Sequence, residues 1–169
     1  VVNTRSGDVI AFEALARWRN CVLGSVSPTY FIAAAEKSSL INHVTLVLLR
    51  KLLHDMVAWP DDIGASFNLS ARTLASPDAM LQVVSLLQHC AIKPHRLEFE
   101  VTETALMIDF DTSLRALNLL RNLGARVALD DFGTGYSSFS YLQKFHFDKV
   151  KIDRSFVRDL ADNKTNAAL

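Results

Sequence analysis

The sequence is poor in cysteine: Cys21 and Cys90 are the only two in 169 residues. Two cysteines without metal-ligand spacing build neither a disulfide framework nor a zinc site, and a reducing, cytosolic setting fits them. Six glycines and four prolines are too few for a low-complexity or collagen-like chain. No stretch approaches the roughly 18 to 20 uninterrupted apolar residues that a membrane-spanning helix needs. An excess of one charge is also missing, because 18 basic side chains face 18 acidic ones. Zero net charge excludes a global attraction to nucleic acid or anionic lipid, so DNA is not an expected partner. Any phosphate must then be gripped by a few placed residues. The five histidines, His43, His54, His89, His95 and His146, are scattered without metal spacing and read as structural or surface residues.

What is present is an ordinary globular composition, 50% hydrophobic and 21% charged, with enough length for one domain and a sizeable core. The start carries neither an initiator Met nor a signal-peptide pattern, and residues 164–169 resemble the opening of a helix. The expectation is a piece of a longer polypeptide.

Along the chain, strands alternate with helices. Residues 9–18 read as a strand and 20–27 as a loop. Ser27 is a candidate cap with Pro28 in the first turn of a helix, and a second helix spans 42–58 with Val44, Leu48, Leu52 and Met56 in register. Residues 65–69 read as a strand, 76–89 as a helix opened by Ser76 and Pro77, and 97–102 as a strand. A helix over 109–123 follows the 3.6-residue period through Phe110, Leu114, Leu117 and Leu120 and stops at Gly124. Residues 126–130 are a strand, 131–138 a glycine-bearing loop and 148–153 a final strand. This alternation implies βαβ units and a mostly parallel sheet covered by helices.

A parallel sheet buried on both faces has nearly continuous apolar strands. These strands alternate instead. Ser66 and Asn68 oppose Phe67 and Leu69; Glu98 and Glu100 oppose Leu97, Phe99 and Val101; Lys149 and Lys151 oppose Val150 and Ile152. An antiparallel sheet with one wet face would give the same pattern, but the intervening helices speak against it. In a barrel the outer face packs on helices, while the inner face carries a site at the carboxyl ends of the strands. Glu13, Asn68, Glu100, Asp130 and Lys151 all fall at or near such ends.

Gathered together, Glu13, Glu100 and Asp130, with Asp131 close by, repel one another. Two unit charges about 4 Å apart cost roughly 4 kcal/mol at an effective dielectric near 20. Divalent cations relieve this, and carboxylate and amide oxygens without a His or Cys cluster suit Mg²⁺, Mn²⁺ or Ca²⁺. Two such ions suit phosphodiester hydrolysis. Lys151 would then orient or deprotonate the attacking water, and Arg17 would hold a phosphate. Asp131-Phe132-Gly133 is also the tripeptide by which kinases bind metal, but the accompanying kinase signatures are missing, and Gly133-Thr134-Gly135 lacks the third glycine of a dinucleotide fingerprint.

Five segments in order resemble the successive motifs of the EAL domain family, bacterial phosphodiesterases of cyclic di-GMP. They are Phe12-Glu13-Ala14-Leu15-Ala16-Arg17-Trp18, Phe67-Asn68-Leu69-Ser70-Ala71-Arg72, Leu97-Glu98-Phe99-Glu100-Val101-Thr102-Glu103, Asp130-Asp131-Phe132-Gly133-Thr134-Gly135-Tyr136-Ser137-Ser138 and Val150-Lys151-Ile152-Asp153. The resemblance implies an α/β fold, a modified TIM (β/α)8 barrel whose first strand is antiparallel to the others and which is incomplete in this chain. Residues 1–169 would form a single domain of this type, truncated at both ends, because the family's later E-G-V-E and Q-G-Y segments are not reached. The implied reaction is metal-dependent hydrolysis of cyclic di-GMP to linear pGpG with Mg²⁺ or Mn²⁺, two ions in all. An inactive relative acting as a cyclic di-GMP receptor or interaction module is the alternative, and another metal-dependent phosphoester hydrolase a third.

Carried over motif by motif, Glu13, Asn68, Glu100 and Asp130 resemble metal ligands, and Asp131 the second aspartate of the pair. Lys151 resembles the lysine that contacts the nucleophilic water, with Glu13 and Lys151 as the catalytic residues. Arg17 and Asp153 are the expected substrate contacts. Glu103 resembles the glutamate that braces the loop from Asp131 to Ser138. The resemblance further implies a homodimer, possible flanking sensory or GGDEF-type domains, and a cytoplasmic domain of a parent that is or is not attached to a membrane.

Overall fold

The computed structural model describes residues 1–133, 144–153 and 155. Five parallel strands form one sheet in the order β1-β4-β5-β6-β7, where β1 is Ala11–Ala14, β4 Gly64–Asn68, β5 Leu97–Thr102, β6 Arg126–Phe132 and β7 Lys149–Ile152. Between them run α1 (Pro28–Lys37), α2 (Ile41–Met56), α3 (Ala71–Leu74), α4 (Pro77–His89), α5 (Glu103–Met107) and α6 (Phe110–Asn122). Each helix long enough to show a period buries one stripe. In α2 the buried residues are Ile41, Thr45, Leu49, Leu52, Leu53 and Met56, and in α6 they are Ser113, Ala116, Leu117 and Leu120.

Those stripes meet the apolar face of the sheet. Phe67, Leu69, Leu97, Phe99, Val101, Val127 and Leu129 join residues of α2, α4 and α6 in one core cluster, with the Phe67 and Phe99 rings edge to face at 6.2 Å. Alternate residues of the same strands point to the other face, and the register aligns them. Glu13 lies opposite Ser66, and Ser66 opposite Glu98; Asn68 lies opposite Glu100, which lies opposite Ala128 and then Lys149. The alternation in the sequence is therefore a curled parallel sheet with one apolar and one polar face, and the antiparallel alternative is set aside.

The expected strand over residues 9–18 is split. β1 ends at Ala14, and Trp18–Asn20 (β2) pairs antiparallel with Gly24–Val26 (β3) in a separate hairpin. The Asn20 side chain accepts from the amides of Val22 and Leu23, and Gly24 takes φ 69°, so a turn stands where the sequence suggested a plain loop. The strand carrying Glu13 runs parallel to its neighbour; antiparallel pairing beside it is the single bridge between Val2 and Val9. The longer helices and the other strands fall within two residues of their expected limits, whereas the short helices α3 and α5 were not anticipated. Gly124, at φ 92°, ends α6 as anticipated. Among the described residues no helix is long and apolar enough to cross a membrane.

Candidate functional site

Local capping brings the expected residues to one end of the sheet. After β4, Ser70 accepts the amide of Thr73 and starts α3, so the chain turns away two residues beyond Asn68. After β5, Thr102 caps α5 by accepting the amide of Ala105, which leaves Glu100 on the last inward turn of the strand. Glu103, the first residue of α5, is buried. Both strands thus stop short and present their final polar side chains at the carboxyl edge, where barrels of this class carry their sites.

At that edge the side chains converge. The Asn68 amide donates to Oε1 of Glu13 at 3.2 Å. The Lys151 ammonium lies between two carboxylates, 2.8 Å from Oε2 of Glu100 and 3.1 Å from Oδ2 of Asp130. Glu100 is 2% exposed. Burial raises its pKa above the usual carboxylate range, and the hydrogen bond from Lys151, with the Ser66 hydroxyl nearby, opposes the rise. Burial draws the Lys151 pKa down, but its bonds to Glu100 and Asp130 outweigh this and the net direction is up. The Asp131 carboxyl is raised by burial and then by the charges of Asp130, Asp153 and Glu13, which places all four acids in one field.

The backbone is irregular at the same point. The β6–β7 register breaks between Leu129 and Phe132, and Asp131 sits at φ 54°, with Gly133 at φ 100°. A β-bulge of this kind turns consecutive side chains toward one place, and a left-handed non-glycine residue stores strain that the surrounding structure must hold. The Asp131 amide is held by Oδ1 of Asp130 at 3.0 Å. Arg17 is not drawn into the cluster; its guanidinium donates to the carbonyl of Ala16 at 2.9 Å. Asp153 follows β7, with its amide on the carbonyl of Phe132. Residues 134–138 of the expected loop, Thr134, Gly135, Tyr136, Ser137 and Ser138, lie outside the described residues, as do residues 164–169.

Three residues of the inner face went unassigned in the sequence. Ser66 is 1% exposed beneath Glu100, and Lys149 pairs with Glu98 at 2.6 Å. The signal was available as a spacing, since Glu98 and Lys149 each stand two residues before a site residue on the same strand. A cavity of about 240 Å³ opens at the opposite, amino-terminal end of the sheet, with Ser66, Glu98, Arg126 and Lys149 in its lining and none of the expected site residues.

As a donor set, Glu13, Asn68, Glu100, Asp130 and Asp131 offer only hard oxygens, and a cation, the lysine ammonium, already bridges two of them. That chemistry fits Mg²⁺ or Mn²⁺. Among the described residues no three His, Cys, Asp or Glu side chains are gathered closely enough to enclose an ion.

A curled parallel (β/α) sheet with an acidic, lysine-bridged cluster at its carboxyl edge is the architecture of part of a modified TIM barrel, incomplete in this chain. The chain belongs to the EAL domain family, which it matches over residues 1–169. It is 41% identical over 169 residues to an uncharacterised protein of Sinorhizobium fredii, covering all of this chain and 20% of that protein. It is 36% identical over 168 residues to the bifunctional diguanylate cyclase/cyclic di-GMP phosphodiesterase MucR of Pseudomonas aeruginosa, covering 97% of this chain and 24% of MucR. The chain therefore spans a fifth to a quarter of these relatives. The solved MucR phosphodiesterase in complex with cyclic di-GMP superposes with a TM-score of 0.84 at 36% identity, over 96% of this chain and 67% of that one.

Proposed function

We propose that the protein hydrolyses one phosphodiester bond of cyclic di-GMP to give linear pGpG. The observation that carries this reading is the lysine held between buried Glu100 and Asp130 at the strand ends, in a chain similar to a phosphodiesterase solved with that nucleotide. Glu13, Asn68, Glu100, Asp130 and Asp131 would hold two divalent cations, Mg²⁺ or Mn²⁺. Such ions lower the pKa of a bound water and neutralise charge developing on the phosphoryl oxygens.

The chain's own residues do the rest. Asn68 holds the Glu13 carboxylate in place through its amide. Glu100 and Asp130 fix the ammonium of Lys151, and both bonds raise its pKa. Held there, the ammonium would orient the nucleophile and steady the anionic phosphate. Arg17, placed just beyond the end of β1, would swing from the Ala16 carbonyl to a substrate phosphate. Asp153 would contact the nucleotide. Buried Glu103 would brace the loop that follows Asp131. The length of MucR beyond the matched 24% and its diguanylate cyclase activity support flanking domains of sensory or GGDEF type in the parent protein. A homodimer belongs to the same reading.

The test is turnover by the full-length protein with Mg²⁺ or Mn²⁺, assayed as conversion of cyclic di-GMP to pGpG. Glu13→Ala is expected to abolish hydrolysis. Undiminished activity in that variant would overturn the metal-holding role, and nucleotide binding without turnover in the unaltered protein would replace an enzyme by a receptor.

A further inference from the structure

β7 is four residues long, and its ladder to β6 is interrupted at the bulge, so backbone pairing alone fixes its position weakly just where Lys151 must be placed. Side chains span the gap instead. From β7, Lys149 and Lys151 both reach over β6 to glutamates on β5, at 2.6 Å to Glu98 and 2.8 Å to Glu100. Two lysines two residues apart meet two glutamates two residues apart, like a pair of rungs. What lets them cross is the inward residue between them: Ala128, opposite both Glu100 and Lys149 in the register, is fully buried and has no side chain beyond Cβ.

We propose that the Lys149–Glu98 ion pair is a positioning device for the site: it sets the lateral register of β7 across the bulge and so delivers the Lys151 ammonium to the point between Glu100 and Asp130. In this reading Lys149 and Glu98 contact neither substrate nor cation. They act through Lys151, and the inference rests on the reading of Lys151 as the working lysine. A one-residue slip of β7 would turn Lys151 to the other face, and the lower rung opposes it because Glu98, with an 11% exposed side chain, has Lys149 as its cationic partner. A surface pair in high dielectric would do little of this. Here the Lys149 side chain is 40% exposed, and the leverage comes from the other end, where Glu98 is 11% exposed and a slip would leave its carboxylate buried without a cation.

Two readouts test it in the full-length protein. In the turnover assay, Lys149→Met is expected to lower kcat by roughly tenfold to a hundredfold, the scale of an ångström-sized misplacement, with KM near the unaltered value. Lys149→Arg, and the exchange Glu98→Lys with Lys149→Glu, are expected to restore most of kcat. The second readout needs no activity: the ζ-nitrogen resonance of Lys151 in ¹⁵N-lysine-labelled protein, assigned by its loss in Lys151→Arg, is expected to move in Lys149→Met and to return in Lys149→Arg. If the unaltered protein does not turn over cyclic di-GMP but the Lys151 resonance moves, the positioning stands and the proposed reaction falls. If turnover is present and Lys149→Met matches it in kcat, or if the resonance is unmoved in a folded variant, the positioning is overturned. Should Lys149→Met not fold, the exchanged pair decides, because restored turnover requires the rung itself.

Discussion

Two Lys–Glu pairs lie side by side on the inner face, built from the same residue types on the same two strands, and only one of them belongs to the candidate site. The lower pair, Lys149 with Glu98, is one ammonium against one carboxylate. The upper pair adds Asp130 at 3.1 Å from the same lysine, and Asp131 and Glu13 enter its field. Four carboxylates there face one ammonium. The lower pair is electrically closed and holds strands; the upper one keeps an excess of negative charge that a lysine cannot neutralise and divalent cations can. What separates a structural from a functional ion pair is thus the added acids, Asp130 and Asp131 brought in by the bulge and Glu13 by β1.

The largest expected effect tests that contrast directly. Lys151→Met should lower kcat by about 10²- to 10³-fold, the usual worth of one preorganised group that stabilises charge at the reacting atoms, against the smaller loss expected of Lys149→Met. Parallel assays of the two variants check it, and equal losses would erase the distinction between the pairs.

A second variant strikes both pairs at once. Ala128→Leu places a branched side chain in the path by which each lysine crosses β6, in an interior position that is fully buried. Overpacking of this kind costs about 1–3 kcal/mol, measurable as a lower midpoint in urea. Turnover should fall with it. A leucine tolerated without change would mean that the lysines do not pass over this residue.

Much of this was legible in the sequence because it depends on short periods. Polar residues at every second position of residues 64–68, 97–102 and 149–152 announced a wet inner face, and the motifs around Glu13, Asn68, Glu100, Asp130 and Lys151 announced the acids that line it. The hairpin at Trp18–Asn20 and Gly24–Val26 was missed because it rests on one Asn side chain and one positive φ, which leave no periodic trace. The helices Ala71–Leu74 and Glu103–Met107 were missed because four or five residues cannot display a 3.6-residue repeat. Lys149 and Glu98 were visible as polar residues, but their pairing skips a strand. Only the sheet order β5-β6-β7 makes them partners.

The smallest effect concerns stability and pH in chelator-treated protein. Burial raises the Glu100 pKa, so its ionised form costs the fold something at neutral pH, and that cost disappears as pH falls through the raised pKa and the carboxyl takes up a proton. The Lys151 pKa is raised too, so its stabilising charge is present across the neutral range and is lost only as pH rises through that elevated value. At neutral pH the two therefore offset each other. Lys151→Met removes the offset and leaves Glu100 buried beside Asp130 without the cation, a deficit of about 1 kcal/mol once solvent access to the lysine is allowed for. When the carboxyls are protonated nothing is left to offset. The gap in Tm between the variant and the unaltered protein should accordingly be widest near neutrality and narrow as pH drops through the carboxylate range. A gap of constant width would assign the lysine's contribution to the packing of its methylene stem, and the upper pair would then differ from the lower one in charge count alone.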